Sequence, residues 1–171
     1  MPVPVLEHIT SVGVSGTRGD MPIEQQHSFF DLILRQLRSG ATELHHGACT
    51  GADAFAHFHM ISQAGVITHV HPPTDKKCSA EPSLMRHSRR VDHEAKAYGE
   101  RNDDIVRAID VLVAAPQYPE KDPRSKRSGT WQTIRKAAAA GKPVFIADAD
   151  GSQYPYEPGK MPAAPAEAAA A

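Results

Sequence analysis

Cysteine is scarce in this chain: Cys49 and Cys78 are the only two among 171 residues, and they form no C-x-x-C pair. So few cannot make a disulfide framework, and the sequence predicts a fold held by its core in a reducing, cytoplasmic setting. A charge excess of one sign is also missing. With 19 basic against 20 acidic residues the formal net charge is −1, which argues against bulk electrostatic binding to DNA or RNA. No apolar run approaches the ~20 residues needed to cross a bilayer. The opening Met1-Pro2-Val3-Pro4-Val5-Leu6-Glu7-His8 lacks the basic and apolar regions of a secretory signal. No membrane partner is expected, and nucleic acid is not an expected one. Three chemical motifs are absent as well: G-K-[ST] of the P-loop, the G-x-G-x-x-G dinucleotide fingerprint, and H-E-x-x-H or Cys/His zinc spacing. NAD, P-loop ATP, a metal and a cofactor are therefore not expected.

What is present suits one soluble domain, with 40% hydrophobic and 23% charged residues. Strand-like and helix-like segments alternate. Ile9 to Ser15 is β-rich, and Pro22 to Arg38 follows with Phe29, Phe30, Ile33, Leu34 and Leu37 at helical spacing. Glu43 to His46 and Val66 to His71 read as the next strands, with a helix from Ala52 to Gln63 between them. After an irregular stretch, Pro73 to His93, comes a helix over Glu100 to Ile109. Asp110 to Ala115 is a nearly continuous apolar run, as expected of a parallel strand covered on both faces. A charged loop (Gln117 to Arg127), a helix (Gly129 to Ala140) and a last strand (Pro143 to Ala147) complete the order. This predicts an α/β fold: a Rossmann-like open parallel sheet of about five strands with helices on both faces. The domain spans 1–148, and 149–171 reads as a disordered Pro/Ala-rich tail.

In such sheets ligands sit beyond the carboxyl ends of the strands, where strand order reverses. Three loops there share one character: Ser15-Gly16-Thr17-Arg18, then Gly47-Ala48-Cys49-Thr50-Gly51 before Asp53, then Ser128-Gly129-Thr130. Each has glycine, which lets backbone approach an anion, a small hydroxyl side chain, and a following helix whose first N–H groups lack partners. One such loop is usually only a capped turn. Three at the strand ends of one sheet point to phosphate binding.

The order and spacing of these motifs carry a resemblance. Gly13-Val14-Ser15-Gly16-Thr17-Arg18, His46-Gly47-Ala48-Cys49-Thr50-Gly51-Ala52-Asp53 with Ala56-His57, Glu100-Arg101-Asn102, and Ser128-Gly129-Thr130-Trp131-Gln132-Thr133 together resemble the SLOG superfamily. That group includes the LONELY GUY hydrolases, the DprA/Smf proteins and the small YspA/YpsA-like branch, to which the likeness is nearest. The resemblance runs over about Ile9 to Ile146. It implies a Rossmann-like fold that binds a nucleotide or nucleotide-derived ligand and a homo-oligomeric assembly. In the LONELY GUY members it also implies hydrolysis of the N-glycosidic bond of a nucleoside monophosphate. Those enzymes carry P-G-G-x-G-T-x-x-E, and the phosphate role passes to Ser128, Gly129 and Thr130. The glutamate position here is Thr133, which is no carboxylate. Catalysis would then fall to Asp53 or Glu100, since an oxocarbenium-like state needs a nearby negative charge. The alternatives are a non-catalytic nucleotide sensor or sequestering module and, more weakly, a DprA-like single-strand DNA binder.

Single residues divide between bland and functional readings. Asp53 is either a favourable acid in a first helical turn or a ribose ligand or base. Arg101-Asn102 is either an exposed first turn or a bidentate contact to phosphate or sugar, and the resemblance favours the contact. Trp131 reads as a packing residue ahead of a base-stacking one. Ten histidines look like metal ligands at first sight, yet on a helix His57 and His59 diverge, and on a strand only alternate residues share a face. Of these, His46 and His71, at strand ends, are the expected ligand contacts. Cys49 reads as a small filler ahead of a reactive thiol. The basic run Arg86-His87-Ser88-Arg89-Arg90 with Lys76-Lys77 reads as a solvated face or a lid.

Overall fold

Every residue of the Val111–Ala115 strand is buried, because this strand lies in the interior of the sheet with helices on both sides. The computed structural model describes residues 4, 6–60, 63, 65–80 and 89–160. Among them are seven strands: β1 (Ser11–Gly16), β2 (Glu43–His46), β3 (Ile67–Val70), β4 (Arg90–Asp92), β5 (Val111–Ala115), β6 (Val144–Ala147) and β7 (Gln153–Pro155). They form one sheet in the order β4-β3-β2-β1-β5-β6-β7. All neighbours pair in parallel except β6 and β7, which are antiparallel.

The sequence reading of about five strands is short by two. β4 and β7 are three residues each and lie at the two edges, where one flank has no neighbour and no long apolar run is needed. β7 also places part of the predicted tail in the sheet. Tyr154 pairs with Ile146, and its hydroxyl donates to the Asp148 carboxylate at 3.1 Å.

Among the described residues, four α-helices cover the sheet: α1 (Ile23–Arg38), α2 (Ala52–Met60), α3 (Tyr98–Ala108) and α4 (Gly129–Ala139). Period-two alternation along β5 divides its side chains between two cores. Val111, Val113 and Ala115 pack with Phe29, Leu32 and Ile33 of α1 and with Ala52, Ala56 and Met60 of α2. Leu112 and Ala114 pack with Ile105 and Val106 of α3 and with Trp131, Ile134 and Ala137 of α4. Pro22 stands at the N-cap of α1, just outside the helix, with no side-chain cap bond. Gly40, at φ +113, supplies the left-handed turn that stops it. No helix among the described residues is long and apolar enough to cross a membrane.

A cationic cleft at the strand-order reversal

From β1 the chain runs through α1 to β2 on one side; from β5 it runs through α4 to β6 on the other. α1 and α4 lie on opposite faces, so the carboxyl ends of β1 and β5, paired at Gly16 and Ala115, open between them. A cleft of about 610 Å³ occupies this reversal point, within the range of small-molecule sites.

Two of the three predicted loops form its walls. Ser15, Gly16, Thr17 and Arg18 come from the end of β1, and Ser128, Gly129 and Thr130 from the start of α4. Their contact is direct: the Thr130 hydroxyl donates to the Gly16 carbonyl at 2.8 Å. Ser128 caps α4, its hydroxyl accepting from the Trp131 N–H. No protein group among the described residues accepts the N–H of Gly129 or Thr130, and a Cβ built on Gly129 meets nothing within 4 Å. This helix start is open toward the cleft.

The second loop serves differently. Gly47, Ala48 and Gly51 stand behind the wall, and only Cys49 and Asp53 of this region reach the cleft. The amides of Gly47, Ala48, Cys49 and Thr50 are already used. The Asp53 carboxylate accepts from Gly47 N–H and Cys49 N–H, each at 3.1 Å, and Ala52 N–H donates to the Thr17 carbonyl at 2.9 Å. Gly51, at φ +74, sits so close to Thr17 that a Cβ would lie 2.2 Å from its carbonyl oxygen. The loop therefore fixes the shape of the first loop instead of cradling an anion itself.

Arg101 and Asn102, in the first turns of α3, line the cleft; Glu100 is exposed and does not. Among the described residues, four arginines (Arg18, Arg101, Arg124 and Arg127) line the cavity against one carboxylate, Asp53. Arg101 is buried, 4.0 Å from Asp53 and 3.6 Å from the Cys49 sulfur. Burial pushes the Asp53 carboxyl up, and Arg101 and the two N–H groups pull it back. Burial and the Asp53 charge also push the Cys49 thiol up, which makes it a filler and not an activated thiolate. Arg124 is held by Asp122 through Nε at 2.9 Å, while Arg127 is exposed at the rim.

One expectation changes on this geometry. His46 and His71 are buried away from the cleft; His46 faces His57 at 2.9 Å and His71 faces His45 at 3.0 Å. Trp131 packs, 1% exposed, with its N–H donating to the Tyr118 carbonyl at 2.7 Å. Thr133 lines the cleft at the resemblance's glutamate position, its hydroxyl donating back to the Gly129 carbonyl. Arg86, His87 and Ser88 lie outside the described residues. Sequence reasoning missed Tyr98, Gln117, Tyr118 and Arg124, all of which line the cleft. Tyr98 lies one helical turn before Arg101 and under the Arg18 guanidinium, 4.5 Å from its ring centre; that spacing was the available signal. Compared with models of protein families and with curated proteins, the chain matches none.

Proposed function

We propose that this cleft binds a phosphorylated nucleoside or a nucleotide-derived ligand, with its phosphate on the Gly129 and Thr130 N–H groups. The observation that carries the reading is the pairing of an open helix start with the guanidiniums of Arg18 and Arg127 in one cavity at the strand-order reversal. A helix N-terminus favours an anion through its unpartnered donors and its dipole, and arginine adds bidentate charge-assisted bonds. The side-chain amides of Asn102, Gln117 and Gln132 are left for sugar and base.

The ligand-holding role fits better than hydrolysis. Thr133 supplies no carboxylate, Glu100 is outside the cleft, and the one carboxylate in it is engaged by Arg101 and two amides. N-glycosidic cleavage is the second reading, favoured by a single fact: Asp53 lines the cleft and burial raises its pKa, which suits a general base. A water would then add to the anomeric carbon, losing its proton to Asp53, as the C–N bond breaks and the base leaves with that electron pair and takes up a proton from solvent.

Both readings are tested by thermal shift with AMP, ADP, ATP and cyclic AMP, followed by chromatography of the incubated nucleotide. A melting-temperature rise with nucleotide recovered intact supports the binding role. Free base that disappears in Asp53→Asn supports hydrolysis. No shift with any of the four, at millimolar concentration, overturns the nucleotide reading.

A further inference from the structure

We propose that the chain carries a second, separate site: a divalent transition-metal site formed by His45, His69 and His93 on the β2–β3–β4 side of the sheet, oriented by Glu43. None of these residues lines the cleft. The three imidazoles come from sequence positions far apart and meet because of strand register. His45 of β2 pairs with His69 of β3, so the two rings stack on one face with centroids 4.3 Å apart. His69 pairs in turn with Val91 of β4, and His93, two residues on, returns to that same face. Gly13, level with His45 on β1, packs against Ile105 of α3 and Ile109 just beyond its end, so this is the face that α3 covers over β1. It is left open at the β4 edge, where His93 is exposed.

The ring nitrogens stand close enough together to share an ion. One ligand atom from each of His45, His69 and His93 lies within 4.8 Å of the others, and His69 Nδ1 and His93 Nε2 are 3.0 Å apart. Imidazole nitrogens around a tetrahedral ion at 2.0–2.1 Å stand about 3.4 Å apart, so binding requires the stacked His45 and His69 rings, 9° from parallel, to tilt toward a common point as the exposed His93 ring swings in. Glu43 supplies the outer support. Its carboxylate lies 3.4 Å from His45 Nε2 and 3.9 Å from His69 Nε2, and a carboxylate on one ring nitrogen turns the other, Nδ1, toward the ion and raises its basicity. His45 Nδ1 also hydrogen-bonds His71 Nε2 at 3.0 Å, a bond that an ion held through Nδ1 would replace, and the fourth position is left to water. An all-imidazole set suits Zn²⁺, Ni²⁺ or Cu²⁺ over the hard cations Mg²⁺ and Ca²⁺.

The test is titration of the full chain, stripped with EDTA and dialysed, with ZnCl₂ by calorimetry and with CoCl₂ by visible absorption. One equivalent of Zn²⁺ per chain is expected, with cobalt bands of a tetrahedral nitrogen site. His93→Gln and His69→Gln should each weaken Zn²⁺ binding at least about tenfold, and Glu43→Gln by about 10–100-fold, with the metal-free melting temperature of His93→Gln unchanged. Mg²⁺ should not compete. No Zn²⁺ uptake, or uptake unaltered in both His69→Gln and His93→Gln, overturns the site. Nucleotide binding in the cleft should persist in His93→Gln, so the two proposals stand or fall separately.

Discussion

A Cβ on Gly47 would lie 1.1 Å from Arg101 Nη1. The absence of a side chain at Gly47 is therefore what lets the Arg101 guanidinium reach past β2 to Asp53 and the cleft. Glycine is required here for space, since its φ is not among the left-handed ones. Gly47→Ala should expel the guanidinium and leave Asp53 buried without its counter-charge, at a cost of about 3 kcal/mol or more. The check is a double-mutant cycle by urea unfolding. With Arg101→Ala in the background, Gly47→Ala should cost far less, because the clash it creates is gone. Additive costs would show that Gly47 acts through something other than Arg101.

Gly129 is the opposite case. A side chain there meets open space, and it would project where the phosphate is proposed to sit. Gly129→Val should leave the unfolding midpoint within about 0.5 kcal/mol of the parent, as for substitutions that disturb no packing. Its affinity for AMP should fall at least about 100-fold by calorimetry. A variant that folds and binds AMP as the parent does would place the anion elsewhere in the cleft.

Asp53 is held by two N–H donors and faced by Arg101. Asp53→Asn keeps one oxygen acceptor but removes the charge that neutralises a buried guanidinium. A loss of about 1–3 kcal/mol in unfolding free energy is expected, together with a changed loop shape behind Thr17. Denaturant melts of the variant measure the first, and amide exchange at Gly47 and Cys49 reports the second. A variant as stable as the parent would mean that the carboxylate is kept for chemistry alone.

The legible parts of the fold were those with a strong local period. The apolar stripe of α1 follows from helical spacing, the unbroken run of β5 from burial on both faces, and the other buried parallel strands from short β-rich runs between turn residues. β4 and β7 did not, because three-residue edge strands bury one flank at most and carry little pattern. The cleft was legible in the loops that touch it directly, Ser15-Gly16-Thr17-Arg18 and Ser128-Gly129-Thr130. The inner role of Gly47, Ala48 and Gly51 was not, since glycine that admits a ligand and glycine that admits Arg101 or Thr17 look alike in sequence. The histidine grouping was hidden for a related reason. His45, His69 and His93 share a face only once the β2–β3–β4 register is known.

Acid should destabilise the protein through its buried histidines, and the sign follows from their hydrogen bonds. His46 Nδ1 accepts from Ala48 N–H at 3.1 Å, so its proton sits on Nε2, which donates to His57 Nδ1 at 2.9 Å. Adding a second proton would break the Ala48 bond inside the core. Burial, with His57 nearby, accordingly holds His46 well below its ordinary value of 6.5. Burial and the neighbouring rings also push His45 down to about 4 and His71 to about 3. The unfolded chain takes up these protons below pH ~6.5 and the folded chain does not, so stability is whole above that pH and falls as pH drops through the window. Each group contributes a slope of at most about 1.4 kcal/mol per pH unit. Carboxylates held below their usual range, such as Asp110, act only at lower pH. In EDTA-containing buffer the melting temperature should be flat from pH 8 to 7 and decline steadily from 6.5 to 5. His46→Gln, whose amide can accept from Ala48 and donate to His57, should reduce that slope. A melting temperature independent of pH between 7 and 5 would mean that these rings take up protons in the folded protein as readily as in the unfolded chain, contrary to the bond from Ala48.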